Sequence, residues 1–517
     1  MVAVDPEIMK KKTGMSEGRI IEILTGIGMP TERKDGHLVV EITPNRPDLF
    51  PMQGLARALL AYGGGNAPEY KVLDGGYALS VQKGVEAIRP FVRCAVVKGV
   101  NFDNGSIKDS MQMQEKLHDT VGRKRKKVAV GLHNLDAVRF PLEYAIGKDE
   151  RFVPLDFGEE MGLEEVLDKH PKGKAYAHLA PGQKVLIRDA EGVISFPPII
   201  NSERTRVDEN TKNLLIEVTG TSKEAVEGVL NIIATAFADA GAKIYSVKVD
   251  GEPYPDLEYV GMKYDGAEAG KVLGNSLGKK DVKTALERMG YRMKEGEVRI
   301  PPYRMDIISQ IDIVEDVAIG HGYGNFRPDL PCLNTIGGRL AGAEELHLIM
   351  CGMGFLEAKN YVLTNERSLE GTPDGGKVMI ANPTNEEFTL VRTSLLPGLL
   401  GTCRINKTRG MPQKFYEIGE VWSGNEETRL GFIITGTKAG FSSMQSVLQA
   451  LVKEMGGNLG FASVDDPRFI RGRCQSVILN GKNAGIVGEV SPDVLEMMGL
   501  EYPASACEIR FGEMRHK

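Results

Sequence analysis

The chain has 517 residues, enough for three or four domains with separate cores. Its 42% hydrophobic and 26% charged content is that of a soluble globular protein, and a formal net charge of −6 argues against a dedicated basic nucleic-acid binder without excluding a local basic patch. Six scattered cysteines with no C-x-x-C spacing indicate neither a zinc site nor a disulfide framework and suit a reducing cytoplasm. The N-terminus has no apolar signal core, and no stretch nears the roughly 18 apolar residues of a membrane span.

Ser16 caps a predicted helix through Ile20, Ile21 and Leu24, stopped near Gly28-Met29-Pro30. A short strand over 37–43 follows. Pro44 and Pro47 deny both helix and central strand to 41–49, so Asn45, Arg46 and Asp48 belong to an extended turn. A helix over 52–62 then runs into Gly63-Gly64-Gly65, and the stretch to about Gly76 reads as a linker. These pieces make a small α/β domain over 1–75.

Region 88–250 mixes strands and helices. The run GRKRKK at 122–127 is a solvated loop or a contact for nucleic-acid phosphate. His133 is structural or orients a polar substrate. Two prolines precede a polar loop with Asn201, Ser202, Thr205 and Arg206. A strand over 214–218 then carries Glu217 among apolar residues. A carboxylate there is costly to bury unless it is paired or faces a cavity, so it marks a pocket or an exposed strand face. Thr221-x-x-Glu224 reads as a capping box for a helix over 225–238.

Residues 258–332 form a predicted small domain. A helix over 279–289 ends at Gly290, and a hairpin-like pair of strands follows around 291–293 and 298–300. Next comes an acidic helix whose apolar face is Ile307, Ile308, Ile311, Val314 and Ala318. Asp312, Glu315 and Asp316 stand at i, i+3 and i+4 on the other side, with Asp306 near the start. Like charges at this spacing cost about 0.2–0.5 kcal/mol a pair. A hard cation such as Mg²⁺ would remove the conflict; a solvated acidic face is the alternative.

The last region, 338–517, reads as α+β with a long antiparallel sheet and a helix over 344–353. Residues 371–377 begin like a P-loop, but Val378 replaces the Ser or Thr and an apolar strand over 378–381 follows instead of a helix. Gly352-Met353-Gly354 lacks a third glycine. No G-x-S-x-G, H-E-x-x-H or Ser-His-Asp set is visible.

Four motifs stand in order along the chain: EITPNRPDL, DIISQIDIVEDVAIGHGYG, ANPTNEEFTLVRTSLLPGLL and KFYEIGEVW. They resemble the β subunit of phenylalanyl-tRNA synthetase over essentially the whole chain. PPIINSERTRVDENTKNLLIEVTGT looks like the short archaeal and eukaryotic form.

That resemblance implies a multidomain α+β fold with a synthetase-like, non-catalytic antiparallel domain at 338–517. It implies an α2β2 assembly that attaches phenylalanine to tRNA(Phe), with ATP bound mainly by the α subunit. KFYEIGEVW lacks the usual arginine, and Glu489-Val490 stand where an ATP-binding arginine would be needed, so the chain alone is not expected to activate phenylalanine. The implied magnesium ligands are Asp306, Asp312, Glu315 and Asp316.

The family's β subunit also removes tyrosine mischarged onto the tRNA, because an apolar pocket for phenylalanine cannot strongly reject an added hydroxyl. On this resemblance 88–250 is the editing-like domain and Glu217 reads the phenol. His133, Asn201, Ser202, Thr205 and Thr219 line the site, where an oriented water does the hydrolysis. A structural, tRNA-binding subunit without editing is the alternative.

Overall fold

A mixed ten-stranded sheet organises the first of two units, Met1–Pro331 and Cys332–Lys517. This computed structural model describes residues 1–294, 296–328, 343–369, 376–510 and 512. The strand order is Ile200–Asn201, Gly192–Phe196, Lys184–Asp189, Leu142–Gly147, Val72–Val81, Lys243–Val249, Phe91–Lys98, Asn213–Gly220, Val128–Asn134, with the tenth strand, Glu252–Tyr254, pairing Lys243–Val249 off this path. Val72–Val81 is parallel to both neighbours, and the other pairs along this path are antiparallel.

Alternation fixes the faces of Asn213–Gly220. Leu214, Ile216 and Val218 pack in one core with Val226, Val229 and Ile233 of the Lys223–Asp239 helix. Leu215 joins a second core with Val96, Tyr144 and Ile187, so Glu217 and Thr219 belong to that side. The sheet curls toward that side until its two terminal strands meet, and Asn201 Nδ2 donates to Leu132 O at 3.3 Å. The helix after the strand is capped by Ser222, whose Oγ accepts from Ala225 N, and not by Thr221, because the helix begins already at Lys223.

Ahead of this sheet, Val2–Val4, His37–Val40 and Thr31–Lys34 form a small antiparallel sheet. Pro6–Thr13, Glu17–Gly26 and Met52–Tyr62 are the nearby helices. The proline turn carries a buried pair, with Arg46 donating to both Asp48 oxygens at 2.9 and 2.8 Å. Gly54 is obligatory here, since a Cβ would stand 1.9 Å from Asp48 O. The stretch expected as a linker is tied down, because Tyr70 OH donates to Asp239 Oδ1 at 2.9 Å and Val72 already starts a strand.

Further on, Arg292–Lys294 and Glu297–Ile300 pair as the expected hairpin, and Val260–Lys263 completes their sheet. Gly266–Leu273, Lys279–Arg288 and Gln310–His321 are its helices. One apolar core runs from Val2 to Val317 through the first three of the four regions drawn from the sequence.

The second unit holds a seven-stranded sheet in the order Leu356–Glu357, Gln413–Trp422, Glu426–Thr435, Ala504–Arg510, Lys482–Val490, Phe469–Leu479, Leu459–Ser463. All pairs but the first are antiparallel. Ala343–Gly352 and Phe441–Glu454 share a core with Tyr416, Phe432 and Cys507, while Leu396–Ile405 shares another with Phe415, Ile433 and Ala506. The strand expected at 378–381 is only a bridge between Met379 and Leu390, and Val378 and Met379 are exposed. The P-loop-like residues 371–375 and the predicted 332/338 boundary lie outside the described residues. Among the described residues no helix is long and apolar enough to cross a membrane.

Candidate active site

Curling of the large sheet leaves a cavity of about 370 Å³. Phe102, Ile107 and Met111 line its apolar side; Ser195, Asn201, Ser202, Thr205 and Glu217 line its polar side.

Glu217 stands in register with Cys94 on one neighbouring strand and Gly131 on the other. Its carboxylate folds down over Gly131, where a Cβ would come within 2.3 Å of Oε1. The residue is 3% exposed. Ser195 Oγ donates to Oε1 at 2.8 Å, and Oε2 has no hydrogen-bond partner. A buried carboxylate oxygen without a partner is costly, and this residue borders a cavity rather than solid packing.

His133 lies on the next strand, fully buried, and is not among the residues that line the cavity. Its Nδ1 is 2.8 Å from Thr205 Oγ1, while Nε2 is 4.0 Å from Glu217 Oε1 and unpartnered. Thus the fold makes one hydroxyl–imidazole contact that no sequence spacing reveals. Asn201 Oδ1 sits 3.3 Å from Ser195 Oγ, so this residue both closes the sheet and borders the Glu217 pair. Ser202 caps the short turn Glu203–Thr205, its Oγ accepting from Arg204 N.

Thr219, also expected to line the site, is engaged by Arg89. Its hydroxyl accepts from Arg89 Nε at 2.9 Å and its carbonyl from Arg89 Nη2 at 2.7 Å. It shares a strand face with Glu217, but two residues advance a strand by about 6.8 Å, which carries it past the cavity.

The basic run splits. Arg123, Lys124 and Arg125 all have positive φ, and this left-handed turn swings Arg125 inward while Arg123 and Lys124 stay exposed. Arg125 donates to Ile199 O at 2.9 Å and to Glu115 Oε1 at 3.0 Å. The His118 ring and Arg125 hold the Glu115 carboxyl at about 2, below the usual range. Burial lowers the pKa of both His118 and Lys172, which border the same cavity. His118 Nε2 accepts from Val130 N at 2.9 Å, tying the Asn104–Asp119 helix to the sheet.

Sequence reasoning missed Ser195, Gly131 and Arg125. An isolated glycine in an apolar strand signals close approach and could have drawn attention to Gly131. Nothing local links Ser195 to Glu217.

The acidic helix also departs from expectation. It begins at Gln310, and Asp312 caps it by accepting from Ile308 N at 2.8 Å and Ser309 N at 2.7 Å. Ile308 and Ile311 are 85% and 52% exposed, whereas Asp316 is 4% exposed, so the predicted faces do not hold there. The cause is Arg304. It donates to both oxygens of Asp306 at 2.8 and 2.7 Å and reaches Asp316 Oδ2 at 2.7 Å, where Tyr291 OH also donates at 2.5 Å. A guanidinium thus supplies the cation for two of the four carboxylates. Among the described residues no three His, Cys, Asp or Glu side chains stand together to hold a metal. The four-ligand set does not fit Mg²⁺ as placed. Asp312 and Glu315, one turn apart, retain free oxygens and match the one or two carboxylates plus waters that Mg²⁺ takes.

In the second unit the charges of the synthetase-like motifs are engaged internally. Glu417 accepts from Arg392 Nη1 at 2.6 Å and Asn360 Nδ2 at 2.7 Å. Glu489 accepts from Arg473 Nη1 at 2.6 Å and Phe441 N at 2.7 Å. Lys414 Nζ donates to Met353 O at 3.2 Å.

Three families match the chain. The phenylalanyl tRNA synthetase beta chain CLM domain matches residues 329–511, the tRNA synthetase B5 domain 262–323 and the B3/4 domain 125–233. The phenylalanine–tRNA ligase beta subunit of Archaeoglobus fulgidus is 40% identical over 97% of this chain and 96% of its own length. That of Methanospirillum hungatei is 37% identical over 98% and 97%. A solved N-terminal fragment of the phenylalanyl-tRNA synthetase beta subunit from Pyrococcus horikoshii is 35% identical, covering 62% of this chain and 99% of the fragment, with a TM-score of 0.58. The chain therefore belongs to the phenylalanine–tRNA ligase beta-subunit family.

Proposed function

We propose that this chain pairs with an α subunit in a cytoplasmic α2β2 assembly that joins phenylalanine to tRNA(Phe) using ATP, and that its own cavity hydrolyses tyrosine mischarged onto that tRNA. The partner carries the aminoacylation site, and the second unit scaffolds it. Asp312 and Glu315 would hold a hydrated Mg²⁺ ion, whose charge would steady the start of the acidic helix.

One observation carries the proofreading part. Glu217 borders the cavity with one oxygen fixed by Ser195 and the other unpartnered. A phenol proton completes that arrangement, and a phenylalanine ring leaves the buried carboxylate oxygen unsatisfied. A site built to hydrogen-bond a hydroxyl rejects the analogue lacking it far more strongly than an apolar pocket rejects an extra hydroxyl. Hydrolysis falls to a water placed beside the ester.

The test is deacylation of Tyr-tRNA(Phe) and Phe-tRNA(Phe) by the reconstituted complex and its Glu217→Gln variant. The wild type is expected to cleave the tyrosyl ester selectively and the variant to lose that selectivity. Unchanged selectivity in the variant removes Glu217 from the role. No cleavage by either form makes the chain a scaffold only.

A further inference from the structure

We infer that the Lys172 ammonium, at the mouth of the cavity, binds the phosphate that joins the last two nucleotides of the tRNA while the tyrosyl group lies deeper, against Glu217. The inference rests on the proofreading reading above and adds to it the contact that holds the nucleic-acid end of the substrate.

The lining of the cavity runs from exposed to buried. Glu115 and Arg206 are exposed and Lys172 is half-buried, whereas Glu217 is 3% exposed. An acyl group that reaches Glu217 therefore leaves its nucleotide on the side of the first three. A volume of about 370 Å³ is near the small end of ligand pockets, ~300–1,000 Å³, so the chain beyond the terminal sugar stays at the mouth.

The charges of the lining pair off, with two exceptions. Arg206 donates to Asp156 at 2.5 Å and to Glu203 at 2.7 Å. Arg125 donates to Glu115 Oε1 at 3.0 Å. His118 is neutral, because its Nε2 accepts from Val130 N–H. Glu217 and Lys172 remain, and Glu217 has the phenol. The Lys172 backbone N–H donates to His170 Nδ1 at 3.1 Å, but among the described residues its ammonium has no hydrogen bond and no ion pair.

Arg125 is the reason. It occupies the carboxylate that could have served the lysine, and it adds a second positive charge beside it. Burial first, and then the Arg125 guanidinium, push the Lys172 ammonium below its ordinary range. Arg125 Nε is also buried without a partner, so neither cation is saturated. An anion offsets both, and a lysine is a common phosphate binder. The esterified tRNA end carries one anion close enough. The sugar hydroxyls and adenine are neutral and the amino group of the tyrosyl ester is positive, so the first negative charge met beyond the ester is that phosphodiester.

The experiment measures inhibition of Tyr-tRNA(Phe) deacylation by the reconstituted complex. The inhibitors are two adenosines carrying tyrosine at the 3′ position through an amide, one with a 5′-methyl phosphate and one without. In the wild type the phosphate should tighten inhibition about tenfold to a hundredfold. Lys172→Ala should lose that gain and Lys172→Arg keep most of it. Lys172→Ala should also raise KM for the tyrosyl and phenylalanyl esters alike, where Glu217→Gln lowers their ratio. Equal inhibition by the two compounds in a wild type that still cleaves Tyr-tRNA(Phe) overturns the phosphate site and leaves proofreading standing. A gain that survives in Lys172→Ala but vanishes in an Arg123→Ala, Lys124→Ala double variant moves the phosphate to the exposed loop and overturns it too. Weaker inhibition of Lys172→Ala by both compounds, with a lowered melting temperature and no rescue in Lys172→Arg, makes the lysine structural. A wild type that does not cleave Tyr-tRNA(Phe) removes both readings.

Discussion

Ser195 Oγ donates to Glu217 Oε1 over 2.8 Å, although five strands lie between theirs in the order of the sheet. The contact exists because the sheet closes on itself at Asn201 and Leu132. Removing the hydroxyl leaves a buried carboxylate with neither oxygen bonded to protein. Hydrogen bonds to charged groups contribute about 1.5–3 kcal/mol, so Ser195→Ala should lower selective Tyr-tRNA(Phe) cleavage by about tenfold to a hundredfold. Deacylation rates on both esters check this, and a variant with wild-type selectivity would show that Glu217 needs no positioning.

His118 must be neutral to accept from Val130 N–H, and burial holds its pKa below the ordinary imidazole value. The unfolded chain therefore takes up this proton first, near pH ~6.5. The contribution of His118 is full above that pH and falls as pH drops toward the lower folded-state value. Glu115, held at about 2, contributes above the ordinary carboxylate range and loses its share only below pH ~4.3, so the two windows separate. Urea unfolding between about pH 7.5 and 5.5 should show stability falling with pH in the wild type and falling less in His118→Asn. Identical pH dependence in the two proteins would count against the assignment.

Arg304 and the free carboxylates make different predictions. Arg304→Met strips Asp306 and Asp316 of their cation, and breaking such a buried pair costs about 3–5 kcal/mol whether or not magnesium is present. Magnesium should stabilise the wild-type complex, by about 2.7 kcal/mol at a hundredfold excess over Kd, and so raise its melting temperature. An Asp312→Asn, Glu315→Gln double variant should lose that rise. If Asp306→Asn abolishes it as well, all four carboxylates bind the ion.

The second unit should not activate phenylalanine. Its motif-like strands carry Glu417–Arg392 and Glu489–Arg473 pairs, and Lys414 donates to a backbone carbonyl. Transition-state charge on a triphosphate needs cations aimed at it, and these are committed elsewhere. ATP–pyrophosphate exchange by the isolated chain is expected to be at background; exchange comparable to the complex would falsify the claim.

Much of the molecule was legible in the sequence. Glycine and proline set the ends of the 52–62 helix, the turn at 41–49 and the hairpin near 296, because these depend on φ restrictions within a few residues. Glu217 also stood out locally, as one acid in an apolar strand. Hydrophobic spacing misled at 307–318. It reads only the intrinsic preference of a segment, and there the partners that bury Asp316, Arg304 and Tyr291, come from outside the helix.

By itself the sequence determined most of the elements, the family motifs and Glu217 as the residue to watch, since each of these is written in short-range spacing. Only the tertiary structure decided that Ser195 fixes this carboxylate, that Thr205 meets His133, that Thr219 serves Arg89, and that the Arg304 guanidinium pairs with Asp306 and Asp316. The reason is geometric. Sheet twist accumulates strand by strand, and only its sum brings Gly192–Phe196 back against Asn213–Gly220, a closure that no local run of residues encodes.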